Sequence, residues 1–159
     1  MAVIQKITPC LWFDREAEQA TELYLGIFSN SRIIDLSRYG DGMPLPKGTA
    51  LVVQFELEGQ RFQALNGGPV YKFTEAISMS VRCETQAEVD HFWDKLSAGG
   101  QPGRCGWLKD KFGLSWQIVP SMLSDVMGGP DPVRAQRVMK TLMSMTKLDI
   151  AALQKAYDN

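Results

Sequence analysis

Few residues in this chain are equipped for chemistry. It has one histidine, His91, and three scattered cysteines, Cys10, Cys83 and Cys105, with no Ser-His-Asp arrangement, P-loop or C-x-x-C pair. What it has instead is a matched pair of glutamines. Glu58-Gly59-Gln60-Arg61-Phe62-Gln63 and Phe112-Gly113-Leu114-Ser115-Trp116-Gln117 each run from a turn glycine to an aromatic residue and then glutamine, 54 positions apart. An amide both donates and accepts, so a glutamine can grip a ligand carbonyl or hydroxyl. It can equally bond another amide or buried backbone, and both uses fit these strings.

The elements around the glutamines repeat as well. Residues 4–13 read as a strand running into a turn at Asp14. A helix follows, with Ala17, Ala20, Leu23, Tyr24, Ile27 and Phe28 on one stripe. Strands are expected over Ile33 to Leu36, over Thr49 to Glu56, and after the Glu58-Gly59 turn through Asn66. Residues 39–48, rich in glycine and proline, cannot be regular structure and are a candidate lid.

The second half repeats the order. Ala76 to Val81 alternates as a strand. Thr85-Gln86-Ala87-Glu88 is a capping box, and Val89, Phe92, Trp93 and Leu96 form the helix stripe. Arg104 to Lys109 and Leu114 to Val119 then form a hairpin. The helix starts at Ala17-Glu18 and Ala87-Glu88 are 70 apart, so the second copy is shorter between helix and hairpin. In the tail, Asp131-Pro132 caps a helix whose apolar face is Ala135, Val138, Met139, Leu142 and Met143. Asp149 starts another, with Leu148 and Leu153 as a hydrophobic staple.

Alternation sorts the candidate residues by face. If Leu11 and Phe13 face the helix, Thr8, Cys10 and Trp12 face the other way; if Ile77 and Met79 face it, Ala76, Ser78 and Ser80 do not. A small, polar face suits a pocket with convergent polar groups, or a sheet open to water. Asn66 is a ligand candidate or half of an Asn-Gly turn. Trp107 and Trp116 stack on a ligand or fill the core. His91 falls about 100° off the buried helix stripe, on the solvent side. Glu56 and Glu58 flank a turn as solvated charges.

At 159 residues, 45% hydrophobic and 22% charged, with net charge −1, the composition is that of one compact soluble domain. The charge gives no electrostatic case for nucleic acid or an acidic membrane as partner. No signal peptide or spanning segment is legible, and the scattered cysteines fit reduced thiols in the cytoplasm.

Three strings carry a resemblance: Ile7-Thr8-Pro9-Cys10-Leu11-Trp12-Phe13, Ala64-Leu65-Asn66-Gly67-Gly68-Pro69, and Cys105 through Pro120. They closely resemble the PhnB-like family, and the resemblance extends through Arg137-Val138-Met139 and Leu148-Asp149-Ile150 to nearly the whole chain. That family is grouped with glyoxalase I, extradiol dioxygenases and bleomycin-resistance proteins in the vicinal-oxygen-chelate superfamily. The resemblance implies an α+β fold of paired βαβββ modules with curved mixed sheets and C-terminal helices, usually in a homodimer. Module one is expected over residues 1–68, module two over 69–120 and the helical tail over 121–159, within one compact domain. Many members carry the label 3-demethylubiquinone-9 3-methyltransferase.

In the superfamily's metal enzymes, each module supplies one ligand from its first strand and one from its last. Carried over, this implies Thr8 (Pro9 if the register slips) and Gln63, then Ala76 and Gln117. None is a histidine or carboxylate, so no metal is expected. No S-adenosylmethionine site is expected either, because Phe13-Asp14-Arg15-Glu16-Ala17 lacks the glycine-rich turn of Rossmann-like methyltransferases. The expected partners are therefore a small polar ligand and a twin subunit, with no cofactor. The expected ligand set is Thr8, Cys10, Trp12, Gln63, Asn66, Ser78, Ser80, Trp107, Trp116 and Gln117, and no catalytic residue is assignable. An enzyme acting on a small oxygen-rich substrate, and a structural homodimer with a vestigial pocket, are the competing readings.

Overall fold

The computed structural model describes residues 5–159, which divide into two compact units between Phe73 and Thr74. Unit one contains β1 (Cys10–Phe13), α1 (Ala17–Ile27), β2 (Ser31–Arg38), β3 (Ala50–Leu57) and β4 (Gln60–Asn66). The strand order is β1-β4-β3-β2, with β1 parallel to β4 and the other pairs antiparallel. Helix α1 buries Ala17, Ala20, Tyr24 and Ile27. Leu11, Phe13, Val53, Phe55, Phe62 and Ala64 are buried on alternating positions of the sheet. Phe55 stacks on Phe62 with ring centroids 5.4 Å apart. The β3–β4 hairpin turns on Glu58 and Gly59, both at positive φ (48° and 80°), which matches the right-handed strand twist and explains the glycine.

Two expectations for unit one are corrected. The first strand begins at Cys10, so Gln5 to Pro9, including Thr8, precede it, and Ile4 lies outside the described residues. Pro9 has no N–H to extend the ladder, although its carbonyl still accepts from Gln63 N–H at 2.9 Å. The unit also runs past Gly68. Tyr71 and Phe73 sit edge-on to Trp12 and Phe13, at 5.0 and 5.2 Å, and tie the segment to β1.

Unit two repeats the path with β5 (Ser78–Cys83), α2 (Gln86–Ser97), β6 (Gln101–Pro102), β7 (Trp107–Lys109) and β8 (Ser115–Pro120), in the order β5-β8-β7-β6. Again the first strand is parallel to the last and the remainder antiparallel. The two units are therefore two βαβββ modules of an α+β fold. Thr85 accepts from Glu88 N–H as a capping threonine, while the Glu88 carboxylate accepts from Glu84 N–H at 2.6 Å, one residue earlier than in a standard box.

The expected strand from Ala76 starts two residues late. Residues 75 and 76 form a turn, in which Ala76 N–H donates to the Thr74 hydroxyl at 3.3 Å. Ile77, expected against the helix, is therefore 69% exposed.

Three helices complete unit two: α3 (Met122–Met127), α4 (Pro132–Met143) and α5 (Ile150–Asp158). Asp131 and Asp149 cap α4 and α5 through their side chains, and Leu148 and Leu153 are buried as a staple. Helix α3 has no side-chain cap, which is why the sequence gives no start signal for it. Leu123, Val126, Val138, Leu148 and Leu153 form a cluster with Val119 of β8 packed against it. The α4 stripe is rotated from expectation: Val138 is buried and Ala135 and Leu142 pack beside it, but Met143 is 58% exposed and Met139 is also outside the core.

Candidate functional site

In unit one, register aligns Cys10 with Gln63, Gln63 with Gln54, and Gln54 with Asp35, giving one row across four strands. Their neighbours Leu11, Phe55 and Ala64 are buried, so the row lies on the sheet face away from the core. Cys10 is exposed and Gln63 half-buried. Packing pushes the Cys10 thiol above its ordinary pKa, because partial desolvation disfavours the thiolate. Gln54 was missed by sequence reasoning, although the alternation of Val53 and Phe55 carries the signal.

Two other candidates in this unit are committed to architecture. The Trp12 indole N–H donates to Gly68 O at 2.9 Å, and its ring lies so close to Gly67 that a Cβ there would come within 2.2 Å of it. Asn66 is 1% exposed: its Oδ1 accepts from Ala17 N–H and its Nδ2 donates to Ala50 O, both at 2.9 Å. Asn66 thus caps α1 from a distance, supplying the acceptor that Glu16 does not, and its amide has no free end for a ligand. The Tyr39 hydroxyl donates to Asn66 O at 2.6 Å, and Gly48 N–H donates to Tyr39 O at 2.9 Å. The latter bond ties the two ends of the 39–48 loop together.

In unit two, Ser80, Gln117 and Trp107 form one row, and Ser78, Ser115 and Lys109 the next. Gln117 Nε2 donates to Ser78 Oγ at 2.9 Å and links the rows. Ser115 is 1% exposed, and among the described residues nothing bonds its Oγ. Lys109 pairs with Glu75, whose carboxyl its hydrogen bond holds below the usual range.

Trp116 is not on this face. It is 3% exposed, and its indole N–H donates to Asp110 Oδ2 at 2.9 Å. Asp110, which sequence reasoning missed, also accepts from Phe112 and Leu114 N–H through Oδ1 and so shapes the β7–β8 turn.

The donors do not fit a transition metal. Register places Cys10 opposite Gln63 and Ser80 opposite Gln117, whereas Thr8 precedes β1 and Ala76 lies in a turn. No group of three or more His, Cys, Asp or Glu side chains among the described residues is arranged to hold an ion. Amide and hydroxyl oxygens are weak ligands for zinc or iron. S-adenosylmethionine fits no better: the β1–α1 link is Asp14-Arg15-Glu16, in which Arg15 N–H donates to the Glu16 carboxylate at 2.9 Å, and no glycine opens the turn.

The 3-demethylubiquinone-9 3-methyltransferase family matches residues 5–119. A PhnB protein from Bacillus cereus, which carries the same methyltransferase name, is 36% identical with a TM-score of 0.69, covering 74% of this chain and all of that one. A Pseudomonas aeruginosa protein is 19% identical (TM-score 0.62; 74% of this chain, 98% of that one). The fosfomycin resistance protein FosX from Listeria monocytogenes is 17% identical (TM-score 0.58; 81% and 99%) and is similar in fold. No functionally curated protein matches the sequence. With the βαβββ repeat and these matches together, the chain belongs to the PhnB-like, 3-demethylubiquinone-9 3-methyltransferase family of the vicinal-oxygen-chelate superfamily.

Proposed function

We propose that this protein binds a small polar ligand on the sheet faces turned away from α1 and α2, without a metal ion. The observation that carries this is the unit-two face, where Ser78, Ser80, Gln117 and Trp107 gather hydroxyls, an amide and an indole in two adjacent rows. Such a set serves orientation by hydrogen bonds and stacking rather than turnover, since it includes no general base. In unit one, Cys10, Gln63 and Gln54 supply a comparable row. The ligand set retained from the sequence is Cys10, Gln63, Ser78, Ser80, Trp107 and Gln117, with Thr8 at its margin. The three cysteines are free, which supports a reducing compartment, the cytoplasm. A homodimer is the state that family resemblance implies, and light scattering checks it.

Differential scanning fluorimetry against a metabolite library tests the binding reading. A hit is expected to raise the melting temperature of wild type and to lose its effect in Gln117→Ala. A library without hits, or a hit indifferent to Gln117→Ala and Gln63→Ala alike, contradicts the reading.

A further inference from the structure

The second row on the unit-two face has an unbalanced composition. Ser78, Ser115 and Lys109 face the same way on adjacent strands β5, β8 and β7. Ser78 Oγ already accepts from Gln117. Ser115 Oγ is buried with no bond among the described residues. A buried hydroxyl without an acceptor is costly, and such orphans in folded proteins call for an explanation. Ser115 therefore presents a donor with nothing to receive it, beside a cation.

That cation is held only provisionally. Lys109 lies on β7 and Glu75 just before β5, on opposite flanks of β8, so their ion pair reaches across the start of β8 where Ser115 sits. The Glu75 side chain is 62% exposed and projects from a turn. A carboxylate so well hydrated gains little from its partner and exchanges readily for another anion.

We infer that this row receives an oxyanion, the carboxylate or phosphate group of the ligand, with Lys109 Nζ and Ser115 Oγ as its donors and Glu75 as the carboxylate that occupies Lys109 until it arrives. The inference rests on the ligand-binding reading above and adds the charge of the ligand to it. A cation with an adjacent hydroxyl is a strong donor set for an oxyanion, because bonds with an ionised partner are shorter and stronger than neutral ones. A neutral ligand would need neither Lys109 nor the removal of Glu75.

The test is an amide-resonance titration of the full chain with sodium acetate, inorganic phosphate and neutral acetamide, at ionic strength fixed with chloride. Acetate or phosphate is expected to give saturable shifts at Ser115, Lys109 and Glu75, and whichever saturates at lower concentration identifies the oxyanion. Glu75→Gln, on an exposed turn and safe for folding, is expected to bind that anion several-fold more tightly. Ser115→Ala should bind several-fold more weakly, and Lys109→Met should not saturate. Acetate and phosphate responses that do not saturate at that fixed ionic strength, or that are unchanged in Lys109→Met and Glu75→Gln, overturn the inference. If a neutral library compound then shifts Ser78, Ser80 and Gln117, the ligand-binding reading stands without the oxyanion. If no compound shifts this face, both fall.

Discussion

Asn66 occupies both ends of its amide inside unit one, joining the start of α1 to the carbonyl of Ala50. Asn66→Ala leaves two buried backbone groups unpaired and is expected to cost about 2–4 kcal/mol in chemical denaturation. A cost below about 0.5 kcal/mol would show that the bonds are dispensable. Cys10 makes a prediction of the opposite kind, since it is exposed but electrostatically quiet. Partial burial raises its pKa above that of an ordinary thiol by disfavouring the thiolate, so its alkylation by iodoacetamide is expected to level off at a higher pH than that of a free cysteine. A rate that levels off at a lower pH than that of a free cysteine would mean an activated thiolate and reopen the enzyme reading. Cys83, fully buried with its pKa pushed up to about 11 by desolvation and by the nearby Glu88 and Glu84, should stay unlabelled in the folded protein. At this scale, alternation makes Leu11 and Phe13 legible as core and Cys10 as outward. The side-chain partners of Asn66 and Trp116 are not legible, because they come from distant segments or from a turn whose geometry no periodicity encodes.

The β7–β8 turn depends on Asp110, whose two carboxylate oxygens accept from Phe112 N–H, Leu114 N–H and the Trp116 indole. Asp110→Asn can keep the first two bonds but sets a second donor against the indole N–H. A loss of about 1–3 kcal/mol is expected, with a shift in tryptophan fluorescence. Unchanged stability and fluorescence would remove Asp110 from this role. Elements with chemical start signals were readable in advance: Thr85, Asp131 and Asp149 each cap the helix they were expected to cap. Elements without such signals were not. The two-residue delay of β5 follows from the turn at 75–76, and the outward methionines of α4 from which face meets the Leu148 and Leu153 cluster. The first is a local turn that strand alternation does not reveal, and the second is decided by tertiary contacts, which the helical period alone leaves open.

At the scale of the molecule, the repeat seen in two short strings is real as chain path: both units order their strands first-fourth-third-second. That repeat places Gln63 and Gln117 at equivalent positions on their last strands, opposite Cys10 and Ser80. The family and fold were thus legible, because long motifs and paired periodicities agree, whereas the identity of a ligand is written in no single residue. The central claim is that these positions serve hydrogen bonding and hold no catalytic metal. Elemental analysis of untagged protein, purified without chelator and dialysed against metal-free buffer, tests it most directly. Far less than one equivalent of any transition metal per chain is predicted. One retained equivalent of zinc, nickel, manganese or iron that disappears in Gln63→Ala or Gln117→Ala would contradict it.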